Sequence, residues 1–184
     1  MFKRLLCFWV IIAIALCPFI IGDKVFAQHE QLPSSQISKI KANCSSAKSI
    51  LNRLHATDAL LRVNRGQLYD SLETKLMDQF NSRVALNGLN GVELLSVTTE
   101  YKNAMDNFRS NYQTYEEAMT DLIGIDCYNS PQEFYYKVED VRNDRSQVHE
   151  SVVKLNEQAD NYNKALDTFL TSYKAATEEA NNER

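Results

Sequence analysis

From Ser34 onward the apolar residues of this chain return every three or four positions, and that spacing is its main structural signal. Ile37, Ile40, Cys44, Ala47, Leu51 and Leu54 alternate the two steps, and Leu61, Leu68 and Leu72 carry the same register onward. Such a stripe lies along one face of an α-helix and buries it against partner helices. Beyond Leu72 the steps lengthen to four through Leu76, Phe80 and Val84, a pattern under which a left-handed supercoil relaxes. The helix is expected to end near Leu86, because Asn87, Gly88, Leu89, Asn90 and Gly91 make a turn of residues that accept positive φ.

A second helix is predicted over residues 92–123, where Tyr101, Met105, Phe108, Tyr112, Tyr115, Met119 and Leu122 keep unbroken four-three steps. Aromatic rings and methionines at that spacing read as core packing rather than as a ligand groove. The connection after it runs through Gly124, Ile125, Asp126, Cys127, Tyr128 and Asn129. Ser130 then stands at a helix cap, Pro131 at the first helical position and Glu133 three residues after the serine, the layout of a capping box. The third stripe is Phe134, Val138, Val141, Arg145, Val148 and Val152, continued by Leu155, Ala159, Tyr162, Leu166, Phe169, Tyr173 and Ala176. No glycine or proline interrupts it, which predicts one helix of about 45 to 50 residues before a polar, frayed tail from Thr177.

Three long helices joined by two short connections must run up, down and up. The expected fold is therefore all-α, an elongated antiparallel three-helix bundle of coiled-coil-like character. Gly66 leaves a four-helix alternative open, since a helix-interior glycine costs about 1 kcal/mol relative to alanine. Leu61, Leu68 and Leu72 holding register across it favours the continuous helix. Few glycines and prolines, 5 and 3 in the chain, argue against any fold of many strands and turns.

The first residues change the picture of where this bundle works. Lys3 and Arg4 precede an apolar run over residues 5–21, followed by Gly22, Asp23 and Lys24, and Val25, Phe26 and Ala27 suit cleavage before Gln28. That order is the layout of a secretory signal. The expected organisation is a signal segment at 1–27, a short linker at 28–33, the bundle at 34–180 and a tail at 181–184. An uncleaved membrane anchor is the second reading, weakened by Pro18 within the run, and a lipid-attached Cys7 or Cys17 the third, since the bulky Leu6 and Leu16 precede them.

Cleavage would remove Lys3, Arg4, Lys24 and Asp23 from 20 basic and 24 acidic residues, leaving 17 against 23 and a net charge of −6. An acidic surface without basic clusters repels polyphosphate, so nucleic acid is not an expected partner. Of the four cysteines only Cys44 and Cys127 would remain. An exported chain usually pairs two such cysteines, and in an up-down-up bundle both lie at the same end. Closing that loop stabilises by about 4 kcal/mol in the chain-entropy account.

Charged residues also occupy stripe positions: Asp58 and Arg65 in the first helix and Arg145 in the third. Asp58 lies 14 residues beyond Cys44 and Arg145 lies 15 beyond Ser130, which at equal rise places them at nearly one height. The second helix passes that height near Tyr112. The expected result is a buried polar layer of Asp58, Arg145 and the Tyr112 hydroxyl, whose ordinary role in a bundle is to fix register.

Other chemistry is sparse. His29, His55 and His149 have no second histidine or Glu-x-x-His partner at helical spacing, so no metal or other cofactor is expected. Phosphate-binding glycine loops, nucleophile elbows and Cys-x-x-Cys pairs are absent from the sequence, and an enzyme is not expected. Asn43, Cys44 and Ser45 match a glycosylation triplet, read as coincidence beside a bridged cysteine. In general layout the chain resembles small bacterial envelope coiled-coil proteins, a resemblance that implies location more than activity.

The leading expectation is a non-enzymatic structural or protein-interaction bundle outside the cytoplasmic membrane, docking an unknown protein partner through its helix faces. Membrane contact is expected only if the N-terminal segment is retained. A carrier of a lipid or other apolar molecule is the alternative, which a cavity lined by Met105, Phe108, Met119 and Phe169 would favour. Leu60, Leu95, Val153 and Leu170 remain outside the stripes and offer a route to self-association.

Overall fold

The structure, a computed structural model, describes residues 31–182, and residues 32–182 belong to one compact unit. The proposed signal segment at 1–27, His29 and the last two residues of the expected tail lie outside the described residues. Helix α1 (Ser34–Ser71) leads through a π-helical segment (Leu72–Met77) into α2 (Asp78–Leu86). Backbone angles at both junctions are α-helical, with φ/ψ of −61°/−46° at Leu72 and −64°/−40° at Asp78, so the three pieces make one continuous arm. Helix α3 (Val92–Gly124) returns antiparallel, and α4 (Pro131–Asn182) runs back alongside it. No strand occurs among the described residues, and the fold is an all-α, three-helix bundle.

Gly66 does not divide the first arm. It sits inside α1, and a methyl group added there would meet nothing within 4 Å. The four-helix alternative is thereby removed, because the glycine's lost helix propensity is offset by the packing of the helix on both sides of it. The irregularity lies further on. A π-helical turn holds more residues than an α-turn, so the face that meets the bundle rotates by about one residue across Leu72–Met77. Met77 is buried in consequence, while Leu76, expected in the stripe, points outward.

The arm ends where the turn residues predicted. Leu89 N–H donates to Val84 O at 3.1 Å and Gly88 N–H to Ala85 O at 3.0 Å, a Schellman pair closed by Gly88 at φ 66°. Gly91 is needed for a different reason: a Cβ there would lie 2.7 Å from Cγ1 of Val84, a buried and rotationally stiff side chain. At the other end Pro131 is the first residue of α4, as its fixed φ suits. The Ser130 N–H is taken by Asp126 O at 2.7 Å, so the second half of the expected capping box is not made by Glu133. Asp126 organises this turn instead, accepting from the backbone N–H groups of Tyr128 (2.9 Å) and Asn129 (3.2 Å). Those bonds hold its carboxyl below the ordinary value.

Two apolar clusters fill the bundle. Near the α2–α3 turn, Met77, Val84, Leu94, Tyr101, Met105 and Phe108 pack with Leu155 and Tyr162 of α4. Toward the α3–α4 turn, Tyr115, Met119, Leu122 and Cys127 pack with Phe134 and Val141, and Ile40, Cys44, Leu51 and Leu54 of α1 cover them. Cys44 and Cys127 are bridged across this end, their Cα atoms 5.6 Å apart and 83 residues apart in sequence. Helix α4 continues through residues 177–182, where a frayed tail was expected, with every side chain of that stretch exposed.

Candidate functional site

Chemistry concentrates where the middle of α1 crosses α3 and α4. Asp58 on α1 accepts from Arg145 on α4 through both oxygens, Nε to Oδ2 at 2.8 Å and Nη2 to Oδ1 at 3.2 Å. The forked guanidinium matches the carboxylate geometry. Tyr115 on α3 donates its hydroxyl to the same Oδ2 at 2.7 Å, so three helices meet at one carboxylate. Burial pushes the Asp58 carboxyl up, but the bonds from Arg145 and Tyr115 and the charges of Arg145 and His55 outweigh it and hold the group below 3.8. Arg145 is drawn upward by its bond to Asp58.

The third member of this group is Tyr115, not Tyr112. Tyr112 is buried one turn away, and its hydroxyl donates to Glu116 Oε2 at 3.0 Å, beside the contact of His55 Nε2 with Glu116 Oε1. The correction follows from side-chain direction. Side chains lean toward the N-terminus of their own helix, so Asp58 and Arg145 reach toward the disulfide end while an α3 side chain reaches away from it. A partner on α3 must therefore start about one turn nearer the disulfide than equal Cα height suggests. Nor is the group a sealed core layer: the Asp58 side chain is 11% exposed and that of Arg145 51%.

The reason lies in α1, which stands off its neighbours beyond Asp58. Leu61 and Leu68, expected in the buried stripe, are 51% and 48% exposed, and from Leu60 to Leu68 every residue but Gly66 is exposed. Beneath this span lies a groove of about 380 Å³. Its floor is Phe108, Tyr112, Val148 and Val152, and its α1 wall is Leu61, Arg62 and Arg65. The Asp58–Arg145 pair closes one end. Toward the other, α1 returns to the bundle at Tyr69, whose ring meets Phe108 edge-on at 5.9 Å and whose carbonyl accepts the Tyr101 hydroxyl at 3.1 Å. Arg62 lies over the Tyr112 ring, 5.0 Å from its centroid.

A second polar group, fully enclosed, was missed by the stripe reading. Asn81 on α2 donates to Thr98 Oγ1 at 2.8 Å and accepts from the Tyr162 hydroxyl at 3.1 Å, again joining three arms. Burial and the charge of Asp78 push the Tyr162 hydroxyl up to about 12. Among the described residues no buried side-chain nitrogen or oxygen lacks a partner, as a packed native interior requires. The one available signal in sequence was a polar residue one position past Phe80 in a run of apolar fours, legible only once the π-helical segment is known.

The carrier expectation named Met105, Phe108, Met119 and Phe169 as cavity-lining residues. Met105 and Met119 are instead wholly enclosed by neighbours, and of the four only Phe108 borders the groove. Among the described residues no three His, Cys, Asp or Glu side chains gather to hold a metal ion, and no helix is long and apolar enough to cross a membrane. Comparison with protein-family models, curated proteins and solved structures finds no match to this chain.

Proposed function

We propose that this chain is an exported, non-enzymatic helical bundle of the cell envelope or extracellular space that works by docking a protein partner on its helix faces. The observation that carries this reading is the exposed apolar surface of the α1 arm, where Leu60, Leu61, Val63 and Leu68 face solvent within two and a half turns. Clustered apolar side chains on an otherwise packed domain mark interaction surfaces. The Cys44–Cys127 bridge agrees with an oxidising compartment, and the signal-like residues 1–27 supply the route to it. Leu95, Val153 and Leu170 are exposed as well, which keeps self-association among the ways these faces can be used.

The test is a photo-crosslinking residue placed at Leu60 or Val63 in cells making the full chain. A defined covalent adduct is expected, lost when the neighbouring Leu68 is changed to glutamate. Absence of any adduct, together with a monomeric sedimentation profile, overturns the docking reading. Recovery of the chain from the cytoplasm with its N-terminus intact and its thiols free overturns the export reading.

A further inference from the structure

The groove beneath α1 has a composition that the docking surface does not explain. Its interior is apolar, made by Leu61, Phe108, Val148 and Val152, yet its rim carries Arg62, Arg65 and Arg145 in a chain whose formal net charge is −4. Asp58 compensates only Arg145, leaving the rim positive. Neither Arg62 nor Arg65 has a carboxylate partner among the described residues, whereas Arg109 and Lys102 on α3 are both paired with acids of the first arm. An acidic protein that leaves two guanidiniums unpaired beside an apolar trough presents a site for an anion with a tail.

The dimensions narrow the occupant further. Lining residues span 58–65 on α1, 108–115 on α3 and 145–152 on α4, about 10 Å along each helix at the standard rise. The Asp58–Arg145 pair bounds one end, and beyond the other α1 returns to the bundle at Tyr69, whose ring meets Phe108. A partner helix needs an open trough several turns long; this one is short, and its volume is near the lower bound for small-ligand pockets.

We infer that the groove binds a soluble single-chain amphiphile with an anionic head, a medium-length fatty carboxylate, with its tail on Phe108, Val148 and Val152 and its carboxylate between Arg62 and Arg65. The tail gains by leaving water, and a guanidinium holds a carboxylate through paired charge-assisted bonds. The groove shares Leu61 with the exposed face of α1, so the two readings are tested apart, docking at Leu60 and Val63 and the groove at Val148 and Val152.

Sodium octanoate titrated into the oxidised full chain, followed by methyl NMR, tests this. Saturable shifts are expected in Leu61, Val148 and Val152, with Leu122, enclosed in the other cluster, unmoved and serving as the marker of folding. Arg62→Gln with Arg65→Gln should weaken binding about tenfold, the equivalent of about 1.4 kcal/mol, with Leu122 at its original position. Leu61→Trp, made at a half-exposed wall position, should fill the groove and abolish the shifts. Octyltrimethylammonium, with the same tail and the opposite charge, should bind at least about tenfold more weakly than octanoate. No saturable shift at these methyls, equal binding of the two head groups, or indifference to the arginine substitutions overturns the proposal.

Discussion

Helices α1 and α3 are built from similar stripes and end up in different environments. Of the 38 residues of α1 only Tyr69 is buried, whereas α3 buries eleven of its 33, among them Tyr101, Tyr115, Met119 and Leu122. Helix α3 packs closely along α4 and also against the first arm, so its apolar face is covered by both. The arm that α1 begins is fastened at separate places: the disulfide and Ile40–Leu54 region, the Asp58–Arg145–Tyr115 group, and the stretch from Tyr69 through α2 to Val84. An equal density of apolar residues thus yields a core helix in one case and a strut in the other. Burial depends on how closely a helix packs on its neighbours, and one helix of a three-helix bundle can be held at points with an open span between them.

The largest test of this contrast is the bridge. Cys44→Ser with Cys127→Ser is expected to lower stability by about 4 kcal/mol, read from urea unfolding. Hydrogen exchange should show the start of α1 losing protection before α3 and α4 do. Equal loss of protection in all three helices would mean that α1 is no separate strut.

Next in size is the enclosed group. Asn81→Leu removes the acceptor of the Tyr162 hydroxyl, which is fully buried, and should cost about 2 to 3 kcal/mol because an unpaired buried hydroxyl keeps its desolvation penalty. The same replacement at Asp58 should cost less, about 1 to 2 kcal/mol, since its Arg145 partner is half exposed and screened by water. A larger loss at Asp58 than at Asn81 would reverse the ranking of the two polar groups. Acid sharpens it further: the folded Asp58 carboxyl titrates below its unfolded value of 3.8. Its contribution is thus present above that pH and lost as pH falls through the folded value. Acid unfolding of Asp58→Leu should show a correspondingly shallower pH dependence below pH about 4.

The smallest expected effect is a gain. Gly66→Ala adds a methyl that touches nothing within 4 Å in a helical stretch, and should stabilise by about 0.5 to 1 kcal/mol through helix propensity and a less flexible unfolded chain. A loss would show that the open span of α1 closes onto the groove in solution.

The periodicity of apolar residues by itself determined that this chain forms long helices, where they turn, and which face of α3 and α4 is buried. It also brought Cys44 to Cys127 and Asp58 to Arg145. Sequence suffices for these because a helical period and a rise per residue are local properties, and two short turns fix the up, down and up directions of the three helices. Tertiary structure decided what no single helix carries. The π-helical segment exchanged Leu76 for Met77 and brought Asn81 inward, a shift in phase set by packing against α3. Tyr115 replaced Tyr112 because opposed helices lean their side chains in opposite directions. Leu61 and Leu68, apolar and in register, stayed in water because register fixes the direction a side chain takes, while the distance to the facing helix is set by the side chains of both.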